Sequence, residues 1–276
     1  MQYYIVDAFT DRLFGGNPAG VVLLDGNFPN DSLMQQVAAE LRYSETAFVR
    51  RDGADEFTVR YFTPRSEVDL CGHATIATFG LLWQLGKVGD NVCMNHTLAG
   101  DLEVMAGERV MMQMATPRMV GEVKDVERLC RIMQCAVPLL PVEIISTGLP
   151  DIMLPVQSEE ELEALAPDMA ALAALSRELE VVGVHAFVQT GDRYTAHVRN
   201  FAPLYGVDEE SATGTANAAL THYLQRRDFI QTGSECSFMQ GEKMGRPSVV
   251  ETLLRPDGTI FVGGHCHIVA KGKLLV

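Results

Sequence analysis

Apolar and polar positions along the chain fall into short β-branched runs interrupted by two apolar helical stretches. Residues 3–9 and 20–24 are apolar runs on either side of Gly15-Gly16-Asn17-Pro18, which predicts strand, turn and strand. Asp31 opens a helix with Leu33, Met34, Val37, Ala38 and Leu41 on one face. Residues 45–50, 57–62 and 102–114 read as strands. Between them, 73–86 is apolar all round, the mark of a buried helix. The stretch 118–142 combines a charged amphipathic helix with Pro138 and Pro141 and is the expected boundary. Strand pattern returns at 143–156, helix at 159–180, and strands near 181–190 and 194–201. A second small-residue helix covers 214–226, and 248–254, 259–263 and 266–275 are strands. The expected fold class is α+β: two halves, each a sheet around one buried helix.

The two halves echo one another. Ala47-Phe48-Val49 recurs as Ala186-Phe187-Val188, and Arg60-Tyr61-Phe62-Thr63-Pro64 as Arg199-Asn200-Phe201-Ala202-Pro203, both 139 positions later. Cys71-Gly72-His73-Ala74 is answered by Thr213-Gly214-Thr215-Ala216 at 142. Three matches in one order, near half the chain length, predict an internal repeat. The expected division is 1–118 and 119–276, within about ten residues, with the last strand free to cross back to the first half.

The repeat places chemistry at the helix starts. In each half, Cys/Thr-Gly-x-Ala opens the buried helix. A first helical turn carries unpaired N–H groups and the positive end of the macrodipole. Small residues leave room for a ligand. Two such starts facing one another across a cleft are expected to hold an anion, such as a carboxylate.

Composition narrows the partners. The chain has 276 residues, 47% of them hydrophobic, enough for a core. Lys and Arg total 22 against 36 Asp and Glu, a net charge of −14, with a sequence pI near 4.9. Such a surface repels nucleic acid and anionic membranes. No run approaches the length of a membrane span, and the N-terminal residues lack a basic leader, so a cytoplasmic setting is expected. Six cysteines without a Cys-x-x-Cys pair fit reduced thiols. His265-Cys266-His267 alternates along a strand; ordinary strand residues are the expectation there, zinc the exception.

Several segments carry a family resemblance. Gly15-Gly16-Asn17-Pro18-Ala19, Ser44-Glu45-Thr46-Ala47-Phe48, Val68-Asp69-Leu70-Cys71-Gly72-His73-Ala74-Thr75 and Arg199-x-Phe201-x-Pro203 through Thr213-Gly214-Thr215-Ala216 resemble the phenazine-biosynthesis isomerase-like (PhzF-like) family. The likeness runs essentially end to end, including Gly263-Gly264. It implies the diaminopimelate-epimerase fold: two pseudo-symmetric domains, each a β-sheet wrapped around a central helix, with the active site between them. It also implies an isomerase without metal or cofactor, a small carboxylated substrate, and a homodimer.

By the same resemblance, Glu45 is the acid/base that moves a proton between carbons. A carboxylate beside Ala47 and Phe48 in a closed site would be partly desolvated, as carbon deprotonation requires. Ser44, Gly72 and His73 are expected substrate contacts in the first half, and Glu210, Gly214 and Thr215 in the second. There the sequence departs from the family's Glu-Asp-Pro-x-Thr-Gly-Ser: it reads Glu209-Glu210-Ser211-Ala212-Thr213-Gly214-Thr215. Glu210 replaces the usual Asp, a lengthening by one methylene that bears on the substrate.

Cys71 defines an alternative. Epimerases of this fold pair one cysteine from each helix start, but here the partner position is Thr213, whose hydroxyl is too weak an acid or base. A single-thiol dehydratase or epimerase using Cys71, related to proline racemases, stays open. So does a non-catalytic small-molecule-binding protein on the same fold, which the Glu210-Ser211 departure would favour. Counting by the 139 offset puts Val184 opposite Glu45, so only one half carries the proposed base.

Overall fold

A computed structural model describes residues 1–276. Its eighteen strands and six α-helices form a mixed α/β fold in two compact units. The first holds Met1–Gln113 and Gly263–Val276, the second Met114–Val262.

In the first unit, β1 (Gln2–Ala8) pairs antiparallel with β2 (Asn17–Leu24), which runs parallel to β3 (Thr46–Arg51). Antiparallel pairing continues to β4 (Glu56–Phe62) and β5 (Glu67–Val68). β4 is also parallel to β6 (Val92–Thr97), followed antiparallel by β7 (Gly100–Met105) and β8 (Val110–Gln113). Helix α1 (Asp31–Leu41) is capped by Asn30, one residue before the expected Asp31, and covers an apolar cluster with Val22, Phe48 and Phe62. Helix α2 (Gly72–Gln84) packs against β1, β2, β3 and β8. Every residue from His73 to Leu82 is buried, as its apolar circumference predicts.

The second unit repeats this plan. β9 (Arg118–Glu122) pairs antiparallel with β10 (Glu143–Ser146), and β10 with β11 (Pro150–Pro155). β11 is parallel to β12 (Val184–Val188), followed antiparallel by β13 (Ala196–Ala202) and β14 (Val207–Glu210). β13 is parallel to β15 (Glu235–Gln240), which pairs antiparallel with β16 (Ser248–Leu254). The central helix α6 (Gly214–Arg226) has the same 13 residues as α2 and packs against β10, β11 and β16. Helices α3 (Val126–Met133), α4 (Glu159–Ala164) and α5 (Met169–Glu178) share a core with Ile144, Leu154 and Phe201.

β17 (Ile260–Gly264) leads back to the first unit, and β18 (Cys266–Lys273) pairs antiparallel with β1 as β9 does with β10. The chain ends lie side by side: the Met1 ammonium donates to Leu274 O at 3.0 Å, and Leu274 N to Met1 O at 2.8 Å.

Local turn chemistry divides three segments expected to be continuous. The helix expected over 159–180 is two helices, because Pro167 keeps the preceding residue out of the α region. The strand patterns at 143–156 and 102–114 are strand pairs, the first turning at Gly148 with φ of 123°.

Candidate active site

Glu45 sits one residue before β3, where α1 has ended at Arg42 in the left-handed conformation. Gly20 N donates to Glu45 O at 3.1 Å and ties its backbone to the neighbouring parallel strand. Gly20 has to be small: a Cβ there would lie 2.8 Å from Thr46 Oγ1. The Glu45 side chain is 19% exposed. Its Oε2 lies 3.2 Å from His73 Nε2.

His73 lies in the first turn of α2, behind the extended N-cap Cys71. Thr75 anchors that turn, donating to Cys71 O through its N–H at 3.0 Å and its hydroxyl at 2.8 Å. Tyr61 OH and Thr75 Oγ1 share a hydrogen bond of 2.6 Å, and Asn95 Nδ2 donates to Tyr61 OH at 3.0 Å. Burial pushes the Tyr61 hydroxyl far above its usual range, so it stays protonated. The His73 ring, 7% exposed, therefore sits on a rigid base. Its Nε2 is 3.2 Å from Ser44 Oγ as well as from Glu45, and its Nδ1 is 3.4 Å from Cys71 Sγ. Ser44, Glu45, Cys71 and His73 thus form one cluster. The sulfur lies beside the ring, 3.9 Å from Nε2 as well, so thiol and carboxylate share one imidazole. Gly72, between Cys71 and His73, has space: a Cβ there would meet only Met112 Cε at 3.7 Å.

The second helix start repeats the backbone with different side chains. Thr213 is the extended N-cap, and Asn217 takes the role of Thr75, donating to Thr213 O through its N–H at 3.2 Å and its side-chain Nδ2 at 2.9 Å. Fully buried Gln240 accepts from Thr213 N and Asn217 Nδ2 and donates to Glu210 O and Thr213 Oγ1, at 2.8–3.1 Å. Thr213 Oγ1 donates to Glu210 Oε2 at 2.6 Å. The Thr215 carbonyl accepts from Thr147 Oγ1 at 2.9 Å. Glu210, Thr213, Gly214 and Thr215 are therefore gathered at one helix start, with hydroxyls where the first unit has thiol and imidazole.

Three residues behind this start were not foreseen: His185, Asp151 and Gln240. His185 is fully buried between Asn200 and Asn217, at 3.2 and 3.3 Å. Burial holds its pKa at about 3, so it is neutral. Burial, with the Glu210 charge adding, pushes the Asp151 carboxyl up to about 8. The signal available in the sequence was a polar residue inside an apolar run, Asp151 in PDIMLP and His185 in VHAFV.

Register corrects one expectation. Thr46 lies opposite Phe62 and Gly20, and Val184 opposite Phe201 and Ile152. Gly20 N donates to Glu45 O, and Ile152 N donates to Gly183 O at 3.0 Å. The counterpart of Glu45 is therefore Gly183, not Val184; the repeat offset is 138 here and 139 on the next strand. A Cβ at Gly183 would lie 1.8 Å from Phe201 O, so no side chain fits.

The His265-Cys266-His267 segment does not gather ligands. Cys266 Sγ donates to Ile76 O at 3.2 Å and packs on Gly80, where a Cβ would come within 2.6 Å of it. Burial raises this thiol to about 12. The residues that do bring three different ligand atoms within 4.8 Å of one another are Glu45, Cys71 and His73. No helix is long and apolar enough to cross a membrane.

Residues 6–272 match the profile of a family described as phenazine biosynthesis-like protein. An uncharacterised isomerase of Deinococcus radiodurans is 37% identical, over 98% of this chain and 94% of its own. The uncharacterised isomerase YddE of Escherichia coli K12 is 32% identical, over 92% and 90%. Among solved structures, a PhzF-family phenazine biosynthesis protein of Bacillus anthracis superposes with a TM-score of 0.89 at 26% identity, covering 100% of this chain and 99% of that one. A probable proline racemase from Agrobacterium radiobacter, at 15% identity and a TM-score of 0.62 over 100% of this chain and 93% of its own, shares the fold.

Proposed function

The chain belongs to the phenazine biosynthesis-like family, and from that premise we propose an isomerase in which Glu45 is the single acid/base. Its substrate class is a small carboxylated molecule. The Glu45 carboxylate takes a proton from one carbon, and the electrons of that C–H bond move into an adjacent π system. The resulting carboxylic acid returns the proton to a second carbon as the π bond shifts. Substrate and product differ in the position of one hydrogen, so the reaction needs no external oxidant or reductant.

The observation that carries this reading is the pairing of Glu45 Oε2 with His73 Nε2 at 3.2 Å, on a rigid helix start. The imidazole holds the carboxylate in one orientation while the base works, a positioning effect. Ser44 and Gly72 line the same cluster as substrate contacts. Glu210, Gly214 and Thr215 are read as substrate contacts of the second unit by their motif. The bare position at Gly183 argues for one base and against a symmetric two-base inversion.

Deuterium incorporation from solvent into small cyclic amino acids and hydroxylated ring carboxylates, followed by mass spectrometry, is the test. Glu45→Gln is expected to lower the exchange rate by about 10²–10⁴. Equal exchange in both proteins overturns the assignment. The thiol reading has its own support, Cys71 Sγ lying 3.4 Å from His73 Nδ1. Cys71→Ala separates the two: exchange persists if the carboxylate is the base and disappears if the thiol is. If no compound exchanges in any protein, the binding-protein reading replaces both. The expected homodimer is checked by sedimentation.

A further inference from the structure

We propose that Glu45, Cys71 and His73 also form a site for a thiophilic divalent cation of the zinc class, and that its occupancy blocks the acid/base. A carboxylate oxygen, a thiol sulfur and an imidazole nitrogen lie within 4.8 Å of one another. Tetrahedral zinc holds S, N and O ligands at about 2.0–2.3 Å, which sets edges between ligand atoms of about 3.3–3.8 Å. The edge from Glu45 Oε2 to His73 Nε2 is 3.2 Å, and that from Cys71 Sγ to the same nitrogen is 3.9 Å. Two of three edges are thus near their liganded lengths. The third, from Glu45 to Cys71, is within 4.8 Å, and Glu45 is the most exposed of the three side chains.

The ligand set selects the metal. Sulfur and imidazole disfavour magnesium and calcium, which take six or more oxygens. Three protein ligands leave a fourth position for water or a substrate oxygen, the pattern of an open zinc site. The ligands are also held by independent supports: Thr75 anchors the Cys71 turn, and Gly20 anchors the Glu45 backbone. A net charge of −14 raises the local concentration of cations around the chain. On binding, the Cys71 S–H bond breaks, the proton leaves to solvent, and the thiolate takes the metal. The counterpart positions in the second unit, Gly183, Thr213 and Thr215, offer neither sulfur, nitrogen nor carboxylate. One cation per chain is therefore expected.

The blocking effect rests on Glu45 being the base; the binding itself does not. Cobalt(II) added to the full-length reduced protein is the probe, read by thiolate-to-cobalt charge-transfer absorption. The band is expected to saturate at one equivalent, to yield to zinc, and to vanish in Cys71→Ser with the five other cysteines present. Cys135→Ser, which alters the one partly exposed cysteine, should leave the band intact. His73→Asn should weaken cobalt binding at least about 10-fold. No band, or a band that survives Cys71→Ser, overturns the site. If Cys71→Ser does not fold, Glu45→Gln keeps the thiol and should bind cobalt more weakly; unchanged affinity there also overturns it. In the exchange assay, zinc should abolish activity and EDTA restore it; activity unaffected by saturating zinc removes the blocking role. A cobalt band that behaves as expected in a protein that exchanges nothing would break the isomerase reading and leave the cation site standing.

Discussion

The starts of α2 and α6 have one backbone and two chemistries. Each follows an extended N-cap, opens on glycine, and is held by a side chain four residues on that donates to the N-cap carbonyl, Thr75 in one and Asn217 in the other. An arginine–glutamate fork also recurs. Arg60 grips Glu67 at 2.6–2.7 Å, and Arg199 grips Glu209 at 2.8 Å. The first start carries carboxylate, imidazole and thiol. The second carries hydroxyls and amides around Glu210, with a neutral histidine behind. A repeated scaffold can thus keep its backbone twice and its thiol and imidazole once.

The sharpest way to break this comparison is to put a side chain at Gly183. Gly183→Ala forces a Cβ to 1.8 Å from Phe201 O, and backbone must move. A loss of roughly 4 kcal/mol or more is expected in denaturant unfolding. Glu45→Ala, at the counterpart position, should change stability by about 1 kcal/mol or less. Equal costs at the two positions would contradict the closed packing at Gly183.

The arginine forks give the next effect. Arg60 and Glu67 are 21% and 23% exposed, against 9% and 17% for Arg199 and Glu209. Arg199 also donates to the carbonyls of Leu162, Glu163 and Leu165. Arg199→Ala leaves those carbonyls and a mostly buried carboxylate without their donor, at a cost of about 3 kcal/mol. Arg60→Ala should cost about 1 kcal/mol, because water screens the more open pair. Melting curves of the two variants, compared at one pH, decide the order.

A third effect is a dependence on pH. Asp151 is pushed from 3.8 to about 8, so the folded chain holds a proton there that the unfolded chain releases. Its contribution falls as pH rises from about 4 to 8. His185, lowered from 6.5 to about 3, works the other way: the unfolded chain binds the extra proton, and stability is lost as pH falls below 6.5. The two slopes oppose each other between about 4 and 6.5, leaving Asp151 alone above that. Asp151→Asn should therefore melt higher than the parent at pH 8, with the difference shrinking towards pH 4. A difference that does not change with pH would show that Asp151 is ionised in the fold.

Much of this was legible beforehand, for identifiable reasons. The α2 helix announced itself because no polar face interrupts 73–82, and such a helix has nowhere to go but inside a sheet. The repeat was visible through Arg60 and Arg199, whose charge demands a partner wherever it is buried. Ser44, Glu45 and His73 were marked by the family motifs. By contrast, Asp151, His185 and Gln240 look like ordinary polar insertions in strands, because what they satisfy lies far away in sequence.

Periodicity and residue type act locally, so the elements, the repeat and the inventory of chemical groups can be read from the letters alone. Which of those groups meet depends on contacts between residues distant in the chain. The 3.2 Å approach of Glu45 to His73 joins residues 28 positions apart. The position equivalent to Glu45 is Gly183 because strand register, not sequence offset, sets which residue answers it in the second unit. A one-residue difference in offset is invisible in a string of letters. It decides whether a side chain can exist at that place at all.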